Sequence, residues 1–184
     1  AFRNDDFITA LQLYTSALQH LEVIKLPDSK KVEVGLFSNR AATHMMLGNP
    51  LLAAEDCCSA LKLDPLHFKA QIRLSRSLLQ LGHFEDANQE ARDVLNNKSL
   101  TSDHEIGAQQ VLDDVVQTQG IVDECARKLR ELEEVDDADL EHISAAVLFS
   151  LEQALQLAPR SSLIATLKAE AYRFLGDSDT AVEF

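Results

Sequence analysis

The sequence has no tryptophan, two tyrosines, four prolines and six glycines in 184 residues. Strand-favouring aromatics and turn formers are too sparse for a β-sandwich or barrel, so the composition favours helices. Although 46% of residues are hydrophobic, no apolar run approaches the ~18 residues that a membrane-crossing helix needs. Nor does a basic stretch followed by an apolar one open the chain, as in a secretory leader. Cysteine is limited to Cys57, Cys58 and Cys125, an odd number without zinc-type spacing. Free thiols in a reducing compartment are the simplest reading, so a cytoplasmic or nuclear location is expected. Basic residues number 17 against 30 acidic ones, for a net charge of −13. Such a surface argues against general nucleic-acid binding, which needs clustered Lys and Arg, but it leaves room for one local basic patch.

Signatures of catalysis and metal binding are missing as well. The histidines His20, His44, His67, His83, His104 and His142 are scattered and form no His-Glu-x-x-His pair. Asp136, Asp137 and Asp139 lack the glycine and the distal glutamate of a calcium loop. No glycine-rich phosphate loop and no Gly-x-Ser-x-Gly turn occurs. The expectation is a chain with no catalytic residues, no metal and no cofactor.

What is present is a repeat. Asn39-Arg40-Ala41-Ala42 leads to Gly48, Ala53, Ala60 and Pro65, and 34 residues further on Ser75, Gly82, Ala87 and Val94 stand in for Ala41, Gly48, Ala53 and Ala60. A period of that length marks stacked helical pairs, each turning at its glycine, with small residues where two helices approach closely. The second unit carries Phe84 just after its turn, where the first has Pro50, a residue tolerated in the first turn of a helix. Cys57 should lie buried between helices and Cys58 nearer the surface. Met45-Met46, at the end of a helix, reads as core.

These anchors resemble the tetratricopeptide-repeat (TPR) pattern. The resemblance implies an all-α helix-turn-helix solenoid, a right-handed superhelix. On its frame, 1–33 is a partial repeat with an extended linker in which Pro27 breaks the helix, and 34–67 and 68–101 are complete repeats. A linking helix would occupy 102–120, an irregular repeat 121–161 and a partial repeat 162–184, with Ala169, Gly176 and Ala181 as its anchors. Both ends read as cut within a repeat. Ser102 with Glu105 signals a helix start, and apolar residues from Val111 to Leu132 recur at helical spacing, with Gly120 marking a possible break.

Three residues resemble the carboxylate clamp of TPR co-chaperones, which hold the C-terminal Glu-Glu-Val-Asp of the cytosolic seventy- and ninety-kilodalton heat-shock chaperones. Asn39, Lys69 and Arg73 occupy the clamp places of the two complete repeats, and the first-repeat places would precede Ala1. Lys69 and Arg73 are four apart, hence on one helix face. Arg supplies a planar fork, Lys a point charge and Asn an amide donor. By this resemblance the partners are those chaperone tails and, through them, client proteins, with no nucleic acid and no membrane. Arg40, Arg76 and His44 lie near enough in the frame to be secondary groove contacts. The internal Glu133-Glu134-Val135-Asp136 lacks a terminal carboxylate and reads as an acidic turn. The stretch from Asn39 to Gly48, and the later one from Ala154 to Gly176, are similar to repeats of the TPR-containing J-domain co-chaperones of the DnaJ C subfamily. No His-Pro-Asp occurs in the chain, so J-domain activity does not reside in these residues. Two other readings stay open: a TPR scaffold of a different assembly, and the non-catalytic arm of an enzyme.

Overall fold

The computed structural model describes residues 4–24, 29–97, 100–132 and 137–176, and all regular structure among them is helical. Eight helices follow in order: α1 (Asn4–Ile24), α2 (Lys30–Met46), α3 (Pro50–Leu63), α4 (Phe68–Leu81), α5 (Phe84–Leu95), α6 (Ser102–Glu131), α7 (Asp137–Leu157) and α8 (Ser162–Phe174). They fall into two units, one of Ala1–Leu78 with Glu85–Leu112, the other of Leu79–Phe84 with Asp113–Phe184. Pro27, the segment Glu133 to Asp136 and the anchor Ala181 lie outside the described residues.

In the first unit α2 packs on α1 and α3. The repeating anchors explain how the helices come so close. Ala41, Ala53, Ala60, Ala87 and Val94 are fully buried, and so is Ser75. A hydroxyl at such a place must find an acceptor, and Ser75 donates to the carbonyl of Ala87 at 2.5 Å, tying α4 to α5. Gly48 and Gly82 end α2 and α4 with φ of 71° and 82°, a left-handed conformation that costs any residue with a Cβ. Pro50 occupies the first turn of α3, where its missing N–H costs nothing. Cys57 is buried and Cys58 exposed. Met45 packs on the core formed by Ala41, Ala53, Cys57 and Leu74, but Met46 is exposed, so only half of the methionine pair is core.

Three details differ from expectation. α2 begins at Lys30, so the extra spacing before the first complete repeat is partly helix. α6 starts at Ser102, with Thr101 rather than Ser102 in the capping place: the Thr101 carbonyl accepts from the amides of His104 and Glu105, and the Thr101 hydroxyl meets His104 Nδ1 at 2.8 Å. Gly120 is no break, because α6 runs unbroken through it for 30 residues. The reason lies on the buried face. Val111, Val115, Thr118, Val122, Cys125, Leu129 and Leu132 alternate spacings of four and three and are all buried. That continuous stripe outweighs the ~1 kcal/mol a glycine costs in a helix. In the second unit Val147, Leu151 and Ala154 of α7 and Ile164 of α8 are buried, and the two helices pack together.

Candidate functional site: a half-buried arginine on α4

Arg73 leaves α4 toward α2. Its Nη1 donates to the carbonyl oxygen of Ser38 at 2.9 Å and to the Ser38 hydroxyl at 2.5 Å. Ser38 is itself buried and immediately precedes Asn39. The Arg73 head is therefore pinned at one nitrogen beside the residue that carries the proposed amide donor. Nε and Nη2 make no hydrogen bond among the described residues. Burial pulls the Arg73 pKa below the usual value, and the groups that offset this are Cys57 and Tyr14, not a carboxylate. A guanidinium drawn into the protein without a carboxylate partner is unusual, because buried charge is normally paired.

Lys69, one turn earlier on α4, is exposed, as is Asn39 on α2. Neither makes a side-chain bond among the described residues, so both keep their donors for solvent or a ligand. Arg76 is half-buried and likewise without an ion pair.

Arg40 has a different role. Its Nε and Nη2 grip the two oxygens of Asp56 at 2.8 and 2.6 Å, and Nη1 reaches the Thr15 hydroxyl at 3.2 Å. The guanidinium also lies 5.6 Å from the centre of the Phe37 ring. Asp56 is 5% exposed, so this two-pronged pair joins α1, α2 and α3 in a setting where its partner charge is obligatory. His44 approaches the same carboxylate, with Nε2 3.8 Å from Asp56 Oδ2. Burial lowers the His44 pKa, Asp56 opposing the shift and Arg40 reinforcing it, so the ring is neutral near pH 7. Arg40 and His44 thus serve the packing of the repeat, which removes most of their capacity as groove contacts. Asp56, their common partner, and Ser38 carry no signal in the sequence that would have singled them out.

Burial lifts the Cys57 thiol to about 12 despite the nearby Arg73, so that cysteine is inert. Among the described residues no group of three His, Cys, Asp or Glu side chains is placed to hold a metal ion. No described helix is long and apolar enough to cross a membrane.

Helix pairs turning at positive-φ glycines, with small buried residues at a 34-residue period, match a known architecture. Superposed on the crystal structure of the TPR domain of P58(IPK), the chain gives a TM-score of 0.69 at 18% identity, covering 97% of this chain and 48% of that one. It carries the tetratricopeptide-repeat fold. No family model matches the sequence. In sequence the chain is similar to several proteins over part of its length. It is 40% identical over 81 residues to the tetratricopeptide repeat protein 4 homolog of Dictyostelium discoideum, covering 44% of this chain and 19% of that protein. The protein SGT1 homolog of Oryza sativa subsp. japonica is 32% identical over 87 residues, 47% of this chain and 21% of that one. Mitochondrial import receptor subunit TOM34 of Pongo abelii is 35% identical over 103 residues, 55% of this chain and 33% of the relative. The chain thus spans between a fifth and a third of these relatives' lengths. Asn39 lies on α2 and Arg73 on α4, and the arginine reaches across to the backbone of α2 at Ser38.

Proposed function

We propose that the chain is a protein-interaction scaffold of the co-chaperone kind. Its clamp of Asn39, Lys69 and Arg73 receives the C-terminal Glu-Glu-Val-Asp of the seventy- and ninety-kilodalton heat-shock chaperones. The observation that carries this reading is the half-buried Arg73 fork, held at Nη1 by Ser38 and lacking a carboxylate partner. A terminal aspartate brings two carboxylates, one from its side chain and one from the chain end, and both suit a cationic site with an amide donor beside it. The similarity to TPR-containing J-domain proteins (the tetratricopeptide repeat protein 2 kind) adds a further part to the proposal, namely that the whole protein works with those chaperones in the cytoplasm. Binding of a short peptide ending Glu-Glu-Val-Asp tests the reading, with the chain end free or amidated. The free acid should bind in a salt-sensitive manner and the amide weakly. Equal binding of both rejects the clamp.

A second reading has its own support. Among the similar proteins are an import receptor subunit and an SGT1 homolog, so related sequence occurs in proteins of different kinds. On that reading the same groove takes another peptide, and the amide would bind as well as the acid.

A further inference from the structure

Three large apolar side chains stand in solvent around the turn from α2 to α3. Met46 is 66% exposed, Leu51 59% and Leu52 43%. A single exposed leucine is ordinary, but three such residues around one turn form a patch. From Leu51 a row runs along α3 through Glu55, Cys58 and Lys62, at helical spacing, so these residues share one face. All of them are exposed. Asp86, Glu90 and Asp93 form a matching row on α5. The two rows are neighbours within the first unit, because Glu90 and Glu55 both act on the Cys58 thiol. This is not the side that meets the clamp: Cys57 lies near Arg73, whereas Cys58, the next residue, lies near Glu90.

The charge on this face is one-sided. Glu55, Asp86 and Glu90 make no ion pair among the described residues. Asp93 accepts from a neutral amide, that of Gln89, at 2.8 Å. Lys62 is the single base of α3, and Arg92, the single base of α5, is turned to Asn88. Burial lifts the Glu90 pKa, and Asp93 and Asp86 add to the rise against a hydrogen bond with Gln71. Glu90 is an acid short of a cation, as Arg73 is a cation short of an acid.

We propose that the exposed face of α3 and α5 is a docking surface for a basic amphipathic helix of a partner protein. Its apolar row covers Met46, Leu51 and Leu52, and its Lys or Arg side chains meet Glu55, Asp86 and Glu90. Two features together select this occupant. The apolar patch calls for a hydrophobic row, and the unpaired acids call for cations beside it. A nucleic acid or an anionic membrane is repelled by the same acids. The inference does not rest on the clamp and shares no residue with it.

Cys58 sits within this face and reports on it. It is exposed while Cys57 and Cys125 are buried, so a maleimide labels it selectively in the folded chain. The probe is a synthetic amphipathic helix with leucines along one side and lysines elsewhere. One control has the same residues scrambled so that no apolar side forms, and another has glutamates in place of the lysines. At about ten times its Kd the probe should slow Cys58 labelling about tenfold, and the controls at the same concentration should leave the rate unchanged. The variants L51S/L52S and D86N/E90Q should each bind the probe about fivefold more weakly or worse. Failure of the probe to bind overturns the proposal. So does binding that leaves Cys58 unprotected, equal protection by the scrambled peptide, or unchanged affinity in either variant.

Discussion

Arg73 Nη1 donates to both oxygens of Ser38, a buried residue on α2. The arrangement makes Ser38 a positioning residue for Arg73: it fixes one edge of the guanidinium, while Nε and Nη2 make no hydrogen bond among the described residues. Ser38→Ala removes the hydroxyl acceptor and leaves the carbonyl. We expect a stability loss of ~1 kcal/mol, read from urea unfolding. The ratio of free-acid to amide peptide affinity should fall as well, since a loosened Arg73 samples unproductive rotamers. A purely structural serine would lower stability and leave that ratio unchanged.

The Arg40–Asp56 pair predicts a larger stability effect without a binding effect. Asp56→Ala strands a half-buried guanidinium that now has no carboxylate, and breaking such a pair costs roughly 3 kcal/mol. Thermal unfolding should show it. Replacing both partners by apolar residues of similar size should restore much of the loss, because the penalty comes from the unpaired charge.

Gly82 and Gly48 share a positive φ but not their surroundings. A Cβ on Gly82 would fall 2.3 Å from Ser161 Oγ and 2.9 Å from its Cα, whereas one on Gly48 would meet nothing within 4 Å. In the second unit the same turn is fastened by Arg160, whose amide donates to the Gln80 carbonyl at 2.9 Å. Gly48→Ala should therefore cost about 1 kcal/mol for its backbone alone. Gly82→Ala should cost a further 1–3 kcal/mol or so, for backbone that has to move. Comparing the two melting temperatures checks this.

Two histidines make stability depend on pH. Burial is the leading cause that lowers the pKa of both His44 and His67 from the ordinary 6.5. Each native ring resists the proton that the unfolded chain accepts. Their contribution is complete above pH 6.5 and declines as pH falls from there toward the lowered native values. Urea midpoints should drop between pH 7.5 and pH 5.5. In His67→Gln the slope should be shallower, at the expense of the Ala70 amide contact.

The solenoid was legible because its geometry demands small residues at fixed intervals. Ala41 and Ser75, Ala53 and Ala87, and Ala60 and Val94 stand at that interval and are all fully buried. Lys69 and Arg73 were legible as a pair because four residues make one helix turn. Asp56 was not. An acid inside a helix looks like any solvated charge, and its partner Arg40 lies 16 residues away on another helix, a relation no local period encodes. Ser38 was hidden for the same reason, being paired 35 residues downstream. At Gly120 local propensity suggested a break, and the long-range stripe from Val111 to Leu132 overrode it.

The central claim is that Arg73 holds a terminal carboxylate, and a thermodynamic cycle measures that contact directly. Free-acid and amidated Glu-Glu-Val-Asp peptides are titrated into the chain and into Arg73→Ala. The account predicts that the acid loses roughly tenfold or more in the variant while the amide changes little, a coupling of at least ~1.5 kcal/mol between Arg73 and the chain end. If acid and amide weaken by the same factor, or neither weakens, Arg73 does not recognise the terminus and the proposed function is wrong.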